Sequence, residues 1–357
     1  MRPSLLIGLS AFAMCASAGA QTTESTVKIF GSLDDGLTYV SNQTGRSHLT
    51  LQDGVNKANG FGFMGTEDLG GGHKAEFKLE GGFSVNRGDS PPGQIFNKQA
   101  YVGLTDSVWG QLSFGRQYDF TALLARFLPC MQCGLFIVQN GDLDRLSGQR
   151  LNNSIQYQSQ RNAGLKVGAM YALSEGSSSG RATSVTADYV NGPFSTQIAA
   201  TELHGSAILA GKLGATSLLG QNLTPTSIML VDKQRVVGVG AMYQIGLLRA
   251  KMLYTNTHLT LKQRSATDQV INLGADYQLT PAVLLQAKVS TDKLEDSRWN
   301  SVNAGIDYAL SKHTDVYAEA AYQKASGPGT RASIPLTASP SSTNTQVVTR
   351  IGVRHLF

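Results

Sequence analysis

No group of side chains in these 357 residues is spaced for bond-making chemistry. The six histidines, His48, His73, His204, His258, His313 and His355, fall on predicted loops, turns or strand ends, with no metal-ligand spacing between them. Gly70-Gly71-Gly72 reads as a tight turn and not a phosphate cradle, because no helix follows it. What does recur is charge at alternate positions of strand-like segments. By parity, one face carries Lys28, Asp34, Lys74, Glu76, Lys78, Glu80, Lys166, Asp188, Arg249, Lys251, Asp276, Lys288, Asp307, Glu319, Arg350 and Arg354. Nine bases and seven acids around a narrow, water-filled space set up a transverse field that orients polar solutes and disfavours apolar ones. The slight basic excess favours anions modestly. Such chemistry is transport, and it implies neither a cofactor nor a metal.

The elements that hold these charges are strands. In the final segment Val347, Thr349, Ile351, Val353, His355 and Phe357 alternate with Gln346, Val348, Arg350, Gly352, Arg354 and Leu356. Period two gives one face for lipid and one for water. Similar alternation occurs elsewhere: Ile271, Leu273, Ala275, Tyr277 and Leu279 oppose Asn272, Gly274, Asp276 and Gln278. Sixteen strands are predicted, at about 27–40, 59–67, 73–83, 96–105, 110–118, 152–159, 165–174, 181–190, 194–203, 234–245, 247–258, 268–279, 283–294, 298–310, 314–325 and 344–357. Their connections alternate strictly between short turns rich in Gly, Asn, Asp and Pro, such as Asn191-Gly192-Pro193, and longer loops. The longer ones are at about 41–58, 84–95, 119–151, 204–233 and 326–343, with lesser ones near 175–180, 259–267 and 295–297. An even strand count, short turns on one side and long loops on the other describe a transmembrane barrel whose short turns face the periplasm. Tyr171, Tyr243, Tyr277 and Tyr308 are read as lying near short-turn ends, suiting an interfacial girdle.

Both composition and the N-terminus agree with export to an outer membrane. Met1-Arg2, the apolar run Leu5 to Ala16 and the small residues Ala18-Gly19-Ala20 read as a signal peptide, residues 1–20, cut between Ala20 and Gln21. Removing 20 of 357 residues leaves 337, from 21 to 357, with no linker or composition break. Mean hydropathy is −0.12, too polar for a bundle of membrane helices but ordinary where only alternate residues meet lipid. A formal charge of +5 without a basic run gives no indication of nucleic acid.

Several stretches carry a family resemblance. Phe61-Gly62-Phe63-Met64-Gly65-Thr66-Glu67-Asp68-Leu69-Gly70-Gly71-Gly72, Phe96 to Leu104, Gly115-Arg116-Gln117-Tyr118-Asp119, Asn152 to Tyr157 and Gly352 to Phe357 together resemble the trimeric general porins of Gram-negative bacteria, those of β-proteobacteria in particular. The resemblance runs in order along the whole of 21–357. It implies an all-β, 16-stranded antiparallel transmembrane barrel, a homotrimer, and passive diffusion of small hydrophilic solutes and ions. It also implies contact with outer-membrane lipid and lipopolysaccharide, and an assembly machinery that reads the terminal aromatic, Phe357. Finally, it implies that the loop at about 119–151 folds inward and narrows the pore. On that pattern the constriction acids lie among Asp119, Asp142 and Asp144, facing Lys74, Lys78, Arg350 and Arg354, with the wall base Lys288 and with Arg116 at the loop root. Arg116 shares parity with the outward Leu112 and Phe114, so a bulge or the strand end must turn it inward.

Two departures stand out: Asp35 on the outward face of the first strand, and Cys130-Met131-Gln132-Cys133 within the inward loop. In an exported protein such a pair most simply forms a disulfide. Free thiols, a redox pair or half a metal site are alternatives, though a thioredoxin context and a second ligand pair are both missing. Rival functions are weaker. A lipase or protease barrel needs a Ser/His/Asp or acid-pair site at the rim, and none is discernible. A plugged structural barrel would have fewer strands. A solute-specific pore would line its track with aromatics, and only Phe30, Tyr101 and Tyr317 point inward.

Overall fold

The computed structural model describes residues 25–174 and 180–357. The predicted signal peptide, its Ala20–Gln21 junction and residues 175–179 lie outside the described residues. The rest is a closed antiparallel barrel of sixteen strands. We number them β1 (Thr26–Gln43), β2 (in two pieces, Arg46–Asp53 and Gly60–Gly70), β3 (His73–Gly82), β4 (Gln99–Asp106), β5 (Gly110–Tyr118), β6 (Arg150–Gln158), β7 (Leu165–Ala172) and β8 (Ala182–Asn191). The second half comprises β9 (Phe194–Ile208), β10 (Met229–Ile245), β11 (Leu248–Leu261), β12 (Arg264–Thr280), β13 (Val283–Leu294), β14 (Ser297–Ala309), β15 (Thr314–Ser326) and β16 (Thr345–Leu356).

Each strand pairs with its sequence neighbour, and β16 closes on β1 from Ser32↔Leu356 to Val40↔Val348. Closure leaves every backbone amide in the hydrocarbon paired within the wall, which is what lipid demands. The seam is finished by the C-terminus. Gly31 N donates to Phe357 O at 2.8 Å and Phe357 N donates to Gly31 O at 3.1 Å. The Phe357 ring lies over Gly31, where a Cβ would come within 2.3 Å of it, so a side chain there would displace the ring.

Outward residues such as Val167, Ile271, Leu273, Val302 and Ile306 are exposed, and apolar side chains on that face meet lipid. Three of the girdle tyrosines, Tyr243, Tyr277 and Tyr308, are exposed near short-turn ends. Tyr171 is a correction: it lies at the long-loop end of β7, one residue before Ala172.

The long connections are more ordered than their composition indicates. The segment expected to be a loop at 41–58 contains a hairpin, turning at Thr44-Gly45 with positive φ at both residues. β9, β10, β11 and β12 extend beyond the predicted ends, leaving 209–228 and a tight turn at Lys262-Gln263 as connections. The core lies inside the barrel. Phe120, Leu124, Phe127, Leu128, Ile137 and Leu146 of the 119–149 segment pack on Met170, Ala199, Leu203 and Leu253 of the wall. A second cluster joins Leu143 to Leu213, Leu218, Leu294 and Trp299.

Candidate functional site

The segment between β5 and β6 lies across the inner wall, and inward glycines make room for it. A Cβ at Gly168 would meet Phe120 at 2.6 Å, one at Gly238 would meet Leu124 at 2.5 Å, and one at Gly240 would meet Phe127 at 2.4 Å. Further round, Pro129 covers Gly274 and Cys133 covers Gly305, both at 2.7 Å from an added Cβ. Real Cβ atoms essentially never come so close, so a side chain at any of these positions would push aside the segment residue that covers it.

Polar wall side chains then hold the segment's backbone. Asp276 Oδ1 accepts from Cys130 N at 3.2 Å and Gln286 Oε1 from Gln132 N at 2.9 Å. Lys288 donates to Ile137 O, Gln234 to Leu143 O at 2.7 Å, and Thr257 to the same oxygen at 3.3 Å. Residues 54–59 dip inward from β2 to meet the tip: Val55 O accepts from Leu135 N at 2.9 Å, and Asn56 Nδ2 donates to Gln132 O. Cys130 and Cys133 are joined by a disulfide and are buried. The root is stapled by Asp119, which accepts from Arg145 at 2.6 Å, from Thr121 Oγ1 at 2.5 Å and from Ala122 N at 3.0 Å.

This seating redistributes the residues expected at a constriction. Asp119 is fully buried in the root staple, so it presents no charge to water. Asp144 is also fully buried, accepting from Thr255 Oγ1 at 3.1 Å. Burial first, and the neighbouring Asp142 second, push its carboxyl up to about 7. Asp142 accepts from Ser147 N at 2.8 Å, Ser147 Oγ at 2.5 Å and Gln149 Nε2 at 2.7 Å, and burial raises it as well.

The wall bases divide. Arg350 is buried and bound on all sides: Asp34 at 3.3 Å, Glu319 at 3.6 Å, Thr38 Oγ1 at 2.8 Å and Gln52 O at 2.7 Å. Arg354 is held by Asp315 at 2.8 Å, Asp307 at 3.2 Å and Asn56 Oδ1 at 2.6 Å, and donates to Gln132. Lys288 is buried beneath the segment. None of these three faces water. Lys74 is exposed at the short-turn rim, two residues from Gly72. Lys78 is half-buried, 3.0 Å from Glu80 and 5.0 Å from the centre of the Phe30 ring. For Arg116, the bulge opposite β5 adds its extra residue to β6, at Asn152-Asn153. Arg116 therefore keeps the parity of Leu112 and Phe114, and its guanidinium reaches Asn97 O at 2.9 Å and Asn152 Oδ1.

A different set remains open to water. Arg126, in the segment itself, has 39% of its side chain exposed, and Arg161, in the turn before β7, has 37%. Both bind Asp188, and Lys166 stands opposite Asp188 in the β7–β8 register. Two arginines thus share one carboxylate, with a lysine on the neighbouring strand. Lys28 and Lys78 line a cleft with Glu76 on the first strands of the wall, whereas Lys98 is buried, 3.5 Å from Glu80 and donating to Ala58 O at 3.0 Å. This set has five bases, Lys28, Lys78, Arg126, Arg161 and Lys166, against three acids, Glu76, Glu80 and Asp188. Sequence reasoning passed over Arg126, Arg161 and Lys98 because parity assigns faces only within strands. The sole signal for Arg161 was its position a few residues from the inward Lys166.

The arrangement matches known proteins. The Gram-negative porin family model matches residues 8–328. An outer membrane porin protein of Bordetella pertussis is 25% identical, covering 88% of this chain and 93% of its own length. Outer membrane porin protein 32 of Delftia acidovorans is 28% identical, covering 98% and 99%. Among solved structures, an anion-selective porin from Comamonas acidovorans superposes with a TM-score of 0.78 at 22% identity, over 94% of this chain and all of that one. OmpT of Vibrio cholerae in its trimer form gives 0.67 at 15% identity, over 93% and 99%. With a closed barrel, a charged interior and an inward segment in place, the chain belongs to the Gram-negative porin family, outer-membrane proteins whose water-filled channels pass small hydrophilic solutes and ions by passive diffusion.

Proposed function

We propose that the pore prefers anions weakly, and that the preference comes from the open set: Lys28, Lys78, Arg126, Arg161 and Lys166 against Glu76, Glu80 and Asp188. The observation that carries this reading is Asp188, a single carboxylate contacted by two half-exposed arginines with Lys166 opposite. A solute passing the inward segment meets net positive charge there. Arg350, Arg354 and Lys288 contribute little, because each is already bound and buried. The anion-selective porin with the same fold supports the sign.

Reversal potential under a potassium chloride gradient tests the assignment. Neutralising Arg126 and Lys166 to Gln should move the permeability ratio towards cations, and the shift should fade as salt screens charges beyond roughly 8 Å. An unchanged ratio at low salt would refute the assignment.

The barrel works as a homotrimer in contact with outer-membrane lipid and lipopolysaccharide, and the outer-membrane assembly machinery inserts it. A shallow apolar cleft on the outer wall, lined by Leu37, Leu49, Ala304, Ala318, Ala320 and Ile351, offers the small-residue surface that another subunit can approach closely. The motion of a trimer band in mild detergent, converted to monomer by heating, tests this.

A further inference from the structure

We propose that the long-loop mouth holds a binding subsite for carboxylates with a compact apolar body, aromatic acids above all. The proposal rests on the porin reading and adds a solute class to it. A cavity of about 270 Å³ lies between the inward segment, the connection 209–228 and the connection 327–344, with Gln234 of β10 at its base. That is just below the roughly 300–1,000 Å³ of typical small-molecule sites, and suits a ligand of one ring. Its walls are apolar, contributed by Leu135, Val138, Leu209, Ile334 and Leu336. An ordinary hydrated ion gains nothing from such walls, whereas burying an aromatic body is favourable in proportion to area.

The polar groups decide the sign of the head group. Asp142 lines the cavity, but its carboxylate already accepts from Ser147 twice and from Gln149. Arg145 is spent on Asp119. Lys212 is different: its ammonium donates to Ala338 O and has no carboxylate within ion-pair distance among the described residues. An ammonium has three hydrogens to donate and no acceptor capacity. The cavity therefore offers, beside an apolar wall, one ammonium that no carboxylate contacts, while the Asp142 carboxylate already accepts three hydrogen bonds. Its complement is a carboxylate on an apolar body, and a cationic or neutral solute leaves Lys212 unanswered.

Benzoate is the probe, added from the long-loop side of a single channel carrying chloride, with acetate and benzyl alcohol as matched compounds lacking the ring or the charge. Benzoate should interrupt the current in a saturable way at concentrations where the other two do not. Lys212→Gln should raise the half-blocking concentration tenfold or more, the scale of one charge-assisted hydrogen bond. Leu209→Gln, which leaves the charge and changes an exposed wall, should weaken benzoate relative to acetate. Equal block by acetate and benzoate, or identical benzoate curves for the wild type and Lys212→Gln, would overturn the proposal. Reversal potential in the same membranes separates the two readings. Persisting anion preference with no benzoate selectivity removes the subsite alone, whereas loss of anion preference in the wild type removes the selectivity assignment.

Discussion

Gly240→Ala should narrow the pore without unfolding the barrel. The new methyl group would sit 2.4 Å from Cγ of Phe127, 2.5 Å from its Cδ2 and 2.6 Å from its Cβ, with no other atom so close. Ordinary contact begins near 3.4 Å, so Phe127 must withdraw from the wall by about 1 Å. Withdrawal from the inner wall carries the segment towards the barrel axis. Arg126 moves with it, since its guanidinium lies 4.5 Å from the centre of the Phe127 ring. Overpacking of this kind costs about 1–3 kcal/mol. That strain falls on the seating of one segment, whereas the Gln197↔Gly240 and Gly240↔Leu253 backbone pairs of the wall are untouched. Trimer yield and heat-modifiability should therefore stay normal while single-channel conductance falls. Adding Phe127→Ala removes the ring that the methyl group strikes, so the double variant should recover conductance towards the wild-type value. Wild-type conductance in Gly240→Ala, or a double variant no better than the single one, would refute the seating argument.

Three further outcomes are expected. Deleting Phe357 removes both Gly31–Phe357 backbone bonds and the ring over Gly31, so outer-membrane levels should drop sharply; normal levels by quantitative blotting would contradict this. Asp144 holds its proton up to about 7 when the segment is seated, against about 4 when it is solvated, so the seated form binds more protons in that window. Seating should weaken as pH rises from about 4 to 7, seen as growing current noise, and Asp144→Asn should reduce the trend, leaving the part due to Asp142. Replacing Cys130 and Cys133 by Ser should leave trimer stability almost unchanged, because the closed loop is short, but should increase current noise; alkylation of both thiols in unreduced, denatured protein would show that no bond exists.

The wall was legible in the sequence because its signal is local. Alternation along β12 or β16 reports two faces within a few residues, and Gly, Asn and Pro mark the turns directly. The interior was less so, because its partners are distant in the chain. Arg350 and Asp34 are separated by 316 residues, and Arg354 and Gln132 by 222. Nothing local at Arg350 distinguishes a buried knot from a lumen charge. The seat of the inward segment was hidden in another way. Parity places Gly274 on the inner face, but a glycine states only that no side chain is present. What fills the space, here Pro129, is decided by tertiary packing. The hairpin at Arg46–Asp53 lies within the expected loop 41–58, and its two consecutive positive-φ residues, Thr44 and Gly45, meet the requirement of a tight hairpin turn.

The inward segment acts on selectivity twice, and the second effect exceeds simple narrowing. Where it covers the wall, a buried unpaired ion costs several kcal/mol, and the arginines there meet carboxylates while Lys288 donates to Ile137 O. Accordingly Arg350 meets Asp34 and Glu319, Arg354 meets Asp307 and Asp315, and Lys251 meets Asp276 at 2.7 Å. Where the wall stays wet, water solvates the charges and no such constraint applies, so Lys28, Arg126, Arg161 and Lys166 can outnumber nearby acids. A whole-lumen tally of nine bases to seven acids averages these two sectors and understates the field a solute meets. The route of the segment across Gly168, Gly240, Gly274 and Gly305 determines which sector remains wet. The sign of selectivity thus depends on where glycines are placed as much as on where lysines and arginines are.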